Sequence, residues 1–210
     1  MAATLWAGIQ VFSYPVAVLV AIAVRMLVTG ALHEDGLADF FDGFGGGAGN
    51  RERILAIMKD SHIGTFGVLA LVLYLLLLAA TLCSIPPHFA PLAILAADPY
   101  AKMVTAQLVT LMPYARSEEE AKAKTVYREM SWQQQVSLTI QGLLPMAVFL
   151  WLTHTPWWPV ILFPYLVMLF LSHHIRKALN GYTGDCCGAV CLLVELTVYL
   201  VICVLSKELS

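Results

Sequence analysis

The chain has 210 residues, of which 60% are hydrophobic and 12% charged, with a formal net charge of −2 and a mean hydropathy of +0.77. A soluble domain carries roughly 45–50% apolar and about 25% charged residues, so this composition excludes an ordinary water-soluble fold and points to a polytopic membrane protein. The net charge says little about partners, but no basic run suggests nucleic acid, and none is expected as a partner.

A transmembrane helix needs about 20 apolar residues, and six runs approach that count: about 5–32, 63–84, 89–112, 136–153, 157–173 and 187–205. The expectation is an all-α, polytopic transmembrane helical bundle of about six spans, forming one integral membrane domain over 1–210. The N-terminus has no basic region followed by a short apolar core and cleavage site, so no signal peptide is expected.

The first run is followed by "HEDGLADFFDGFGGG", His33 to Gly47, which places Glu34, Asp35, Asp39 and Asp42 within nine residues. If the helix continues through the motif, turning about 100° per residue, Asp35, Asp39 and Asp42 fall within roughly 60° of one another. One carboxylate at a membrane helix centre costs about 2.5–3.5 kcal/mol on insertion scales, and neighbouring acids add repulsion. A divalent cation removes that penalty. All-oxygen donors suit Mg²⁺, which completes its shell with phosphate and water. Asp60, at the opening of the second run, is a fourth carboxylate able to reach the same site. "GFGGG" is either a loop for close phosphate approach or a helix-ending turn. Arg51, Arg53, Lys59 and His62 place donors beside the acids and, as a set, suit a pyrophosphate.

Asp98-Pro99 should kink or split the third run. Asp98 and Lys102, four apart, most simply neutralise each other. The polar connection 114–135 reads as a surface helix on the cytoplasmic side, with Glu118 and Lys122 spaced for an ion pair. The fourth and fifth runs form a tight hairpin through "THTPWW", with Trp157 and Trp158 at a membrane interface. Five cysteines, at 83, 186, 187, 191 and 203, lie in or beside apolar segments without a CxxC pair and read as buried small hydrophobes.

The loops at 34–62, 114–135 and 174–186 hold nine Lys and Arg, whereas those at 85–88 and 154–156 hold none. The positive-inside rule puts the nine in the cytoplasm. Six spans then leave both ends outside, which raises the expectation of a missing N-terminal span.

"HEDGLADFFDGFGGG" followed by "RILAIMKDSHIGTFG", with "MPYAR" at 112–116 and "GYTGDCCGA" at 181–189, resembles the signature of the cobalamin synthase family. The Asp spacing is also similar to the metal motif of CDP-alcohol phosphotransferases. The resemblance covers about 30–205. Departures are a late start, "SEEEAKAK" after "YAR" where many members have a Gly-Leu-Gly stretch, and Ala101-Lys102 where Ser-Arg is frequent. Lys102 keeps the charge but loses the bidentate fork.

The resemblance implies a transferase that joins adenosylcobinamide-GDP to α-ribazole, or its 5′-phosphate, with release of GMP. It implies Mg²⁺ as cofactor, those two small molecules and the lipid bilayer as partners, and the inner membrane of a bacterium as location. The state is open between monomer and homo-oligomer. The expected ligands are Asp35, Asp39, Asp42 and Asp60, with Asp42 and Asp60 catalytic, the latter as second-helix ligand or general base. His33, Lys102 and the Arg51–His62 donors would hold the donor phosphates. Tyr114 and Arg116 either contact the nucleotide or are an interfacial aromatic and a snorkelling cation. Thr183 and Asp185 either line the acceptor site or cap a helix. Glu195 either binds substrate or makes a structural hydrogen bond within the bundle. Two other readings are a phospholipid-making CDP-alcohol transferase and an ion-coupled transporter. The first expects an acid four positions after Asp60, where Gly64 stands; the second expects acids near mid-span in several helices.

Overall fold

A computed structural model describes residues 1–116 and 130–208, with side chains to 205. The expected surface helix with Glu118 and Lys122 lies outside the described residues. Within them the chain is helical: α1 (Ala2–Gly8), α2 (Tyr14–Thr29), α3 (Leu32–Gly46), α4 (Arg51–Lys59), α5 (Thr65–Ser84), α6 (Ala90–Leu111), α7 (Trp132–Thr153), α8 (Trp157–Leu179) and α9 (Gly184–Glu208).

Four helices, α5, α7, α8 and α9, are long and apolar enough to cross a membrane, or five segments if α2 and α3 make one broken span. Their outer faces expose Leu73, Leu76, Leu144, Trp151, Leu166 and Phe170. Apolar surface on that scale belongs against lipid, as in a multi-pass membrane protein. α6 is 22 residues long but falls outside that set; it carries Asp98 and Lys102 and buries much of its length. It runs through Pro99 as one helix, so of the two expected outcomes, kink or split, the split does not occur.

α9 is the axis of the bundle. Its apolar window is 61% buried, against 17% for α7, and it packs on α3, α5, α6 and α8. The closest approach is to α3. A Cβ on Gly36 would lie 3.2 Å from the Asp185 backbone, and one on Gly188 would lie 3.2 Å from the His33 carbonyl. Two facing glycines therefore let α3 and α9 meet backbone to backbone, which sets Asp35 beside the start of α9.

The first apolar run is not one helix. Pro15 opens α2, where its missing N–H costs nothing. Gly30 and Ala31, both left-handed at φ 63° and 52°, then turn the chain by 88° into α3. Irregular backbone at membrane depth is tolerated where it is buried in protein or lines a cavity. Here Thr29 and His33, on either side of the break, line a cavity.

"GFGGG" is helical to Gly46 and serves packing instead of a phosphate loop. A Cβ at Gly43 would meet Met58 at 2.7 Å, one at Gly45 the Phe66 ring at 2.5 Å and one at Gly47 Ile54 at 2.3 Å. The glycines let α4 and α5 seat against α3. α7 and α8 are joined by a turn at left-handed His154, but they do not pair as the expected tight hairpin: α7 packs on α6 and α8 on α9.

Candidate active site

A cavity of about 560 Å³ opens between α3, α6, α9 and the segment 112–116. Its polar wall is His33, Asp35, Lys102, Tyr114, Arg116 and Asp185. Three separate stretches of the sequence thus converge. The segment 112–116 is pinned to the α8–α9 turn: Tyr182 N–H donates to Pro113 O at 3.0 Å, and Ala115 N–H to Tyr182 O at 2.8 Å. Tyr114 and Tyr182 meet edge to face with ring centroids 5.4 Å apart. Arg51 ties the same segment down from α4, donating to Ala115 O at 2.6 Å and Leu179 O at 2.8 Å. Arg176 adds a bond to Leu111 O. With the backbone held, Arg116 turns inward, donates to Leu55 O at 3.1 Å and comes within 4.0 Å of Asp185.

Two helices begin at this cavity. α3 presents Leu32 and His33, and α9 presents Gly184 and Asp185. Helix N-termini carry N–H groups without intrahelical partners and the positive end of the dipole, so they favour anions. Together with Arg116, Lys102 and His33 they line the cavity with donors and cations that could face an anion. Asp35 and Asp185 set two hard oxygen donors into that wall. Mg²⁺ is usually held by one or two carboxylates plus substrate phosphates and water, so the donor set fits that ion with a phosphorylated ligand. Among the described residues no three His, Cys, Asp or Glu side chains converge to hold an ion alone.

A sequence model of the cobalamin-5-phosphate synthase family matches residues 1–203, nearly the whole chain. The chain belongs to the cobalamin-5-phosphate synthase family. Curated relatives are each named adenosylcobinamide-GDP ribazoletransferase. That of Shewanella frigidimarina is 36% identical over 200 residues, covering 94% of this chain and 75% of the relative. That of Shewanella baltica is 37% identical over 201 residues, covering 92% and 74%. That of Vibrio cholerae is 36% identical over 201 residues, covering 92% and 73%. No solved structure matches the chain.

In this family member the four expected metal ligands do not share one pocket. Asp35 lines the cavity; Asp39, one turn along α3, is half-buried and outside its lining. Asp42 is buried, and both its oxygens are engaged at the start of α5: Oδ2 accepts from Gly64 N–H at 2.7 Å and Oδ1 from Gly67 N–H at 2.8 Å. Asp42 thus caps a neighbouring helix across 25 residues of sequence. Asp42→Ala strands both amides and should cost about 1–3 kcal/mol. The SDS-unfolding midpoint of purified protein reads this. A variant as stable as the parent would remove the capping role. Gly67→Ala should do similar harm, because its Cβ would sit 2.4 Å from Asp42 Oδ2.

Asp60 ends α4 at the surface and accepts from His62, from the backbone N–H at 3.1 Å and against Nδ1 at 2.7 Å. Neither lines the cavity. The hydrogen bonds from His62 hold the Asp60 carboxyl below its ordinary range, and those to Asp60 push the His62 imidazolium above 6.5. The His62 interaction is complete below the imidazole's ordinary pKa and fades as pH rises through its raised value. The Asp60 interaction is complete above the ordinary carboxyl pKa and fades as pH falls through its lowered value. Both ions therefore coexist from acidic to near-neutral pH. NMR titration should place His62 above 6.5 in the parent and return it to the ordinary range in Asp60→Asn; equal titration curves would contradict the pairing.

Arg53 and Lys59 are exposed on α4, away from the cavity, while Arg51 acts as the staple described above. Lys102 pairs with Asp98 at 2.8 Å, as the spacing predicts, and still lines the cavity. Thr183 is the N-cap of α9, its Oγ1 accepting from Cys186 N–H at 3.3 Å.

Glu195 does not reach this cavity. It is buried, pairs with Arg25 through two contacts of 3.0 and 2.9 Å, and accepts from Tyr199 at 2.7 Å. Arg25 also stands 3.9 Å from Glu34, whose Oε2 is buried without a hydrogen-bond partner. Sequence reasoning missed the Arg25 partnership. The available signal was a lone cation, Arg25, in the first apolar run and a lone anion, Glu195, in the last, each of which requires a partner.

Proposed function

We propose that this protein transfers the corrinoid phosphoryl group of adenosylcobinamide-GDP to α-ribazole, or its 5′-phosphate, releasing GMP. Family membership and the printed activity of the relatives support this reading. The observation that carries it in the structure is one cavity holding Asp35, Asp185, Arg116 and Lys102 between two helix N-termini. That combination suits a diphosphate with its counter-ion.

Asp35 and Asp185 would hold Mg²⁺, with Asp39 one turn away. When bound, the ion neutralises the diphosphate and stabilises the charge that develops as the phosphoryl group moves. Arg116, Lys102, His33 and the free N–H groups of α3 and α9 orient the phosphates. The ribose 3′-hydroxyl of the acceptor attacks the phosphorus on the cobinamide side. The P–O bond to the GMP phosphate breaks, its electron pair leaving with GMP, and the hydroxyl proton goes to water. Asp42, with its oxygens on the α5 amides, and Asp60, outside the cavity, act through position and not as bases. The cavity lies at the membrane end rich in Arg51, Arg53, Arg116, Arg176 and Lys177, which supports a cytoplasmic-facing site in a bacterial inner membrane.

Purified protein in detergent, supplied with both substrates and Mg²⁺, should form the corrinoid product and GMP in equal amounts, and EDTA should stop it. Mg²⁺-independent turnover would remove the metal, and absence of product from folded protein would remove the activity.

A further inference from the structure

A smaller cavity, of about 330 Å³, adjoins the candidate active site and shares Val109 and Tyr114 with it. Its wall is the consecutive run Val109 to Pro113, closed by Tyr114 and Tyr182. Consecutive helical residues point in all directions around the axis. A cavity that touches every one of them sits off the end of the helix, where the last carbonyls point. α6 ends there: Leu111 is its final residue, and Met112 is extended at φ −144° and ψ 147°. The last C=O groups of a helix look outside it for donors. Leu108 O accepts from Met112 N–H at 3.1 Å and Leu111 O from Arg176. Val109 O finds no donor four places on, because residue 113 is a proline and carries no N–H. The cavity therefore faces carbonyl acceptors at the negative end of a helix dipole, which disfavours a phosphate. Beside them Tyr114 is half-buried, held edge to face against buried Tyr182. An aromatic ring next to carbonyl acceptors suits a flat heterocycle that carries N–H donors.

Resting on the proposed transfer, we infer that this cavity is the guanine subsite of the donor. Tyr114 stacks on the base, and the carbonyls at the end of α6 accept from its N1–H and its exocyclic amino group. The diphosphate passes Tyr114 into the larger cavity, toward the N-termini of α3 and α9. Opposite helix ends thus sort the two halves of the nucleotide: C-terminal carbonyls take the base, and N-terminal amides take the phosphates. Stacking gives affinity for any base, since every base has a π-face. The carbonyls give the choice. Adenine presents a lone pair at N1 where guanine presents an N–H, so it sets acceptor against acceptor. The benzimidazole of α-ribazole has no N–H donor and gains nothing from this wall.

Calorimetry on the detergent-purified full chain tests this with four probes, each with Mg²⁺: GDP, IDP, ADP and inorganic pyrophosphate. The parent should bind GDP about tenfold or more tighter than ADP, because a site that bonds to a substrate N–H rejects the analogue without it. IDP keeps N1–H but lacks the amino group, so it should fall between them. Thr110 lines the smaller cavity and not the larger. Thr110→Trp should raise the GDP Kd by about tenfold or more and leave pyrophosphate within about twofold, which also reports that the variant folds. Tyr114→Ala should weaken GDP, IDP and ADP by one common factor and keep their order, and Tyr114→Phe should restore all three. Equal binding of GDP and ADP by the parent overturns the base assignment without any variant. So does unchanged GDP binding in Thr110→Trp, or pyrophosphate weakened as much as GDP. Any of these with an active parent leaves the transfer reading standing; a folded parent that binds neither GDP nor pyrophosphate overturns both.

Discussion

Asp35→Asn should lower phosphoryl transfer by about 10²–10³-fold, the scale on which loss of one preorganised electrostatic group acts in a water-poor site. Asp185→Asn should fall in the same range. The change keeps shape and removes charge, so the cavity wall stays intact while its hold on a cation weakens. Raising Mg²⁺ should recover part of the Asp35→Asn loss if binding is what suffers. Steady-state rates across a Mg²⁺ series, on protein whose SDS-unfolding midpoint matches the parent, test this. Full turnover by both variants at low Mg²⁺ would remove the two carboxylates from the reaction.

Arg25→Met should lower stability by about 3–5 kcal/mol, the usual consequence of leaving a buried charge without its partner. The side chains of Arg25 and Glu195 are 11% and 2% exposed. Removing the guanidinium strands Glu195 and leaves Glu34 beside it with the same sign. Replacing both members, as Arg25→Met with Glu195→Leu, should recover part of the loss, with Glu34 still left without its cation, because a buried pair contributes little net once its desolvation is counted. A double-mutant cycle of SDS-unfolding free energies isolates the coupling. A double variant no better than Arg25→Met would contradict it.

The fold was legible where one physical signal dominates. α5, α7, α8 and α9 show as apolar runs because lipid demands a continuous stretch of side chains. The Asp98–Lys102 pair showed because helical spacing alone sets it. The break after α2 was hidden: Gly30 hints at it, but Ala31 adopts a left-handed turn that its side chain disfavours. The three aspartates do share one uninterrupted helix, α3, as the column reading expects; the break before it changes only that helix's direction, and close packing at Gly36 and Gly188 brings Asp185 to Asp35 from 150 residues away. The Asp42 bonds to Gly64 and Gly67 were equally hidden, since a carboxylate that caps another helix looks in sequence like one that holds a metal. Asp60 follows the motif closely in sequence, yet α4 carries it out to solvent beside His62. In each case the missing information was tertiary direction, not residue chemistry.

The most direct test uses Mn²⁺ as a paramagnetic stand-in for Mg²⁺, since both favour oxygen donors. Electron spin resonance of the detergent-purified protein with Mn²⁺ and adenosylcobinamide-GDP should show a bound ion with phosphorus hyperfine coupling. That signal should be lost in Asp35→Asn combined with Asp185→Asn. Retention of the same phosphorus-coupled ion in the double variant, or no ion bound by the parent in the presence of donor, would contradict the placement of the diphosphate between α3 and α9.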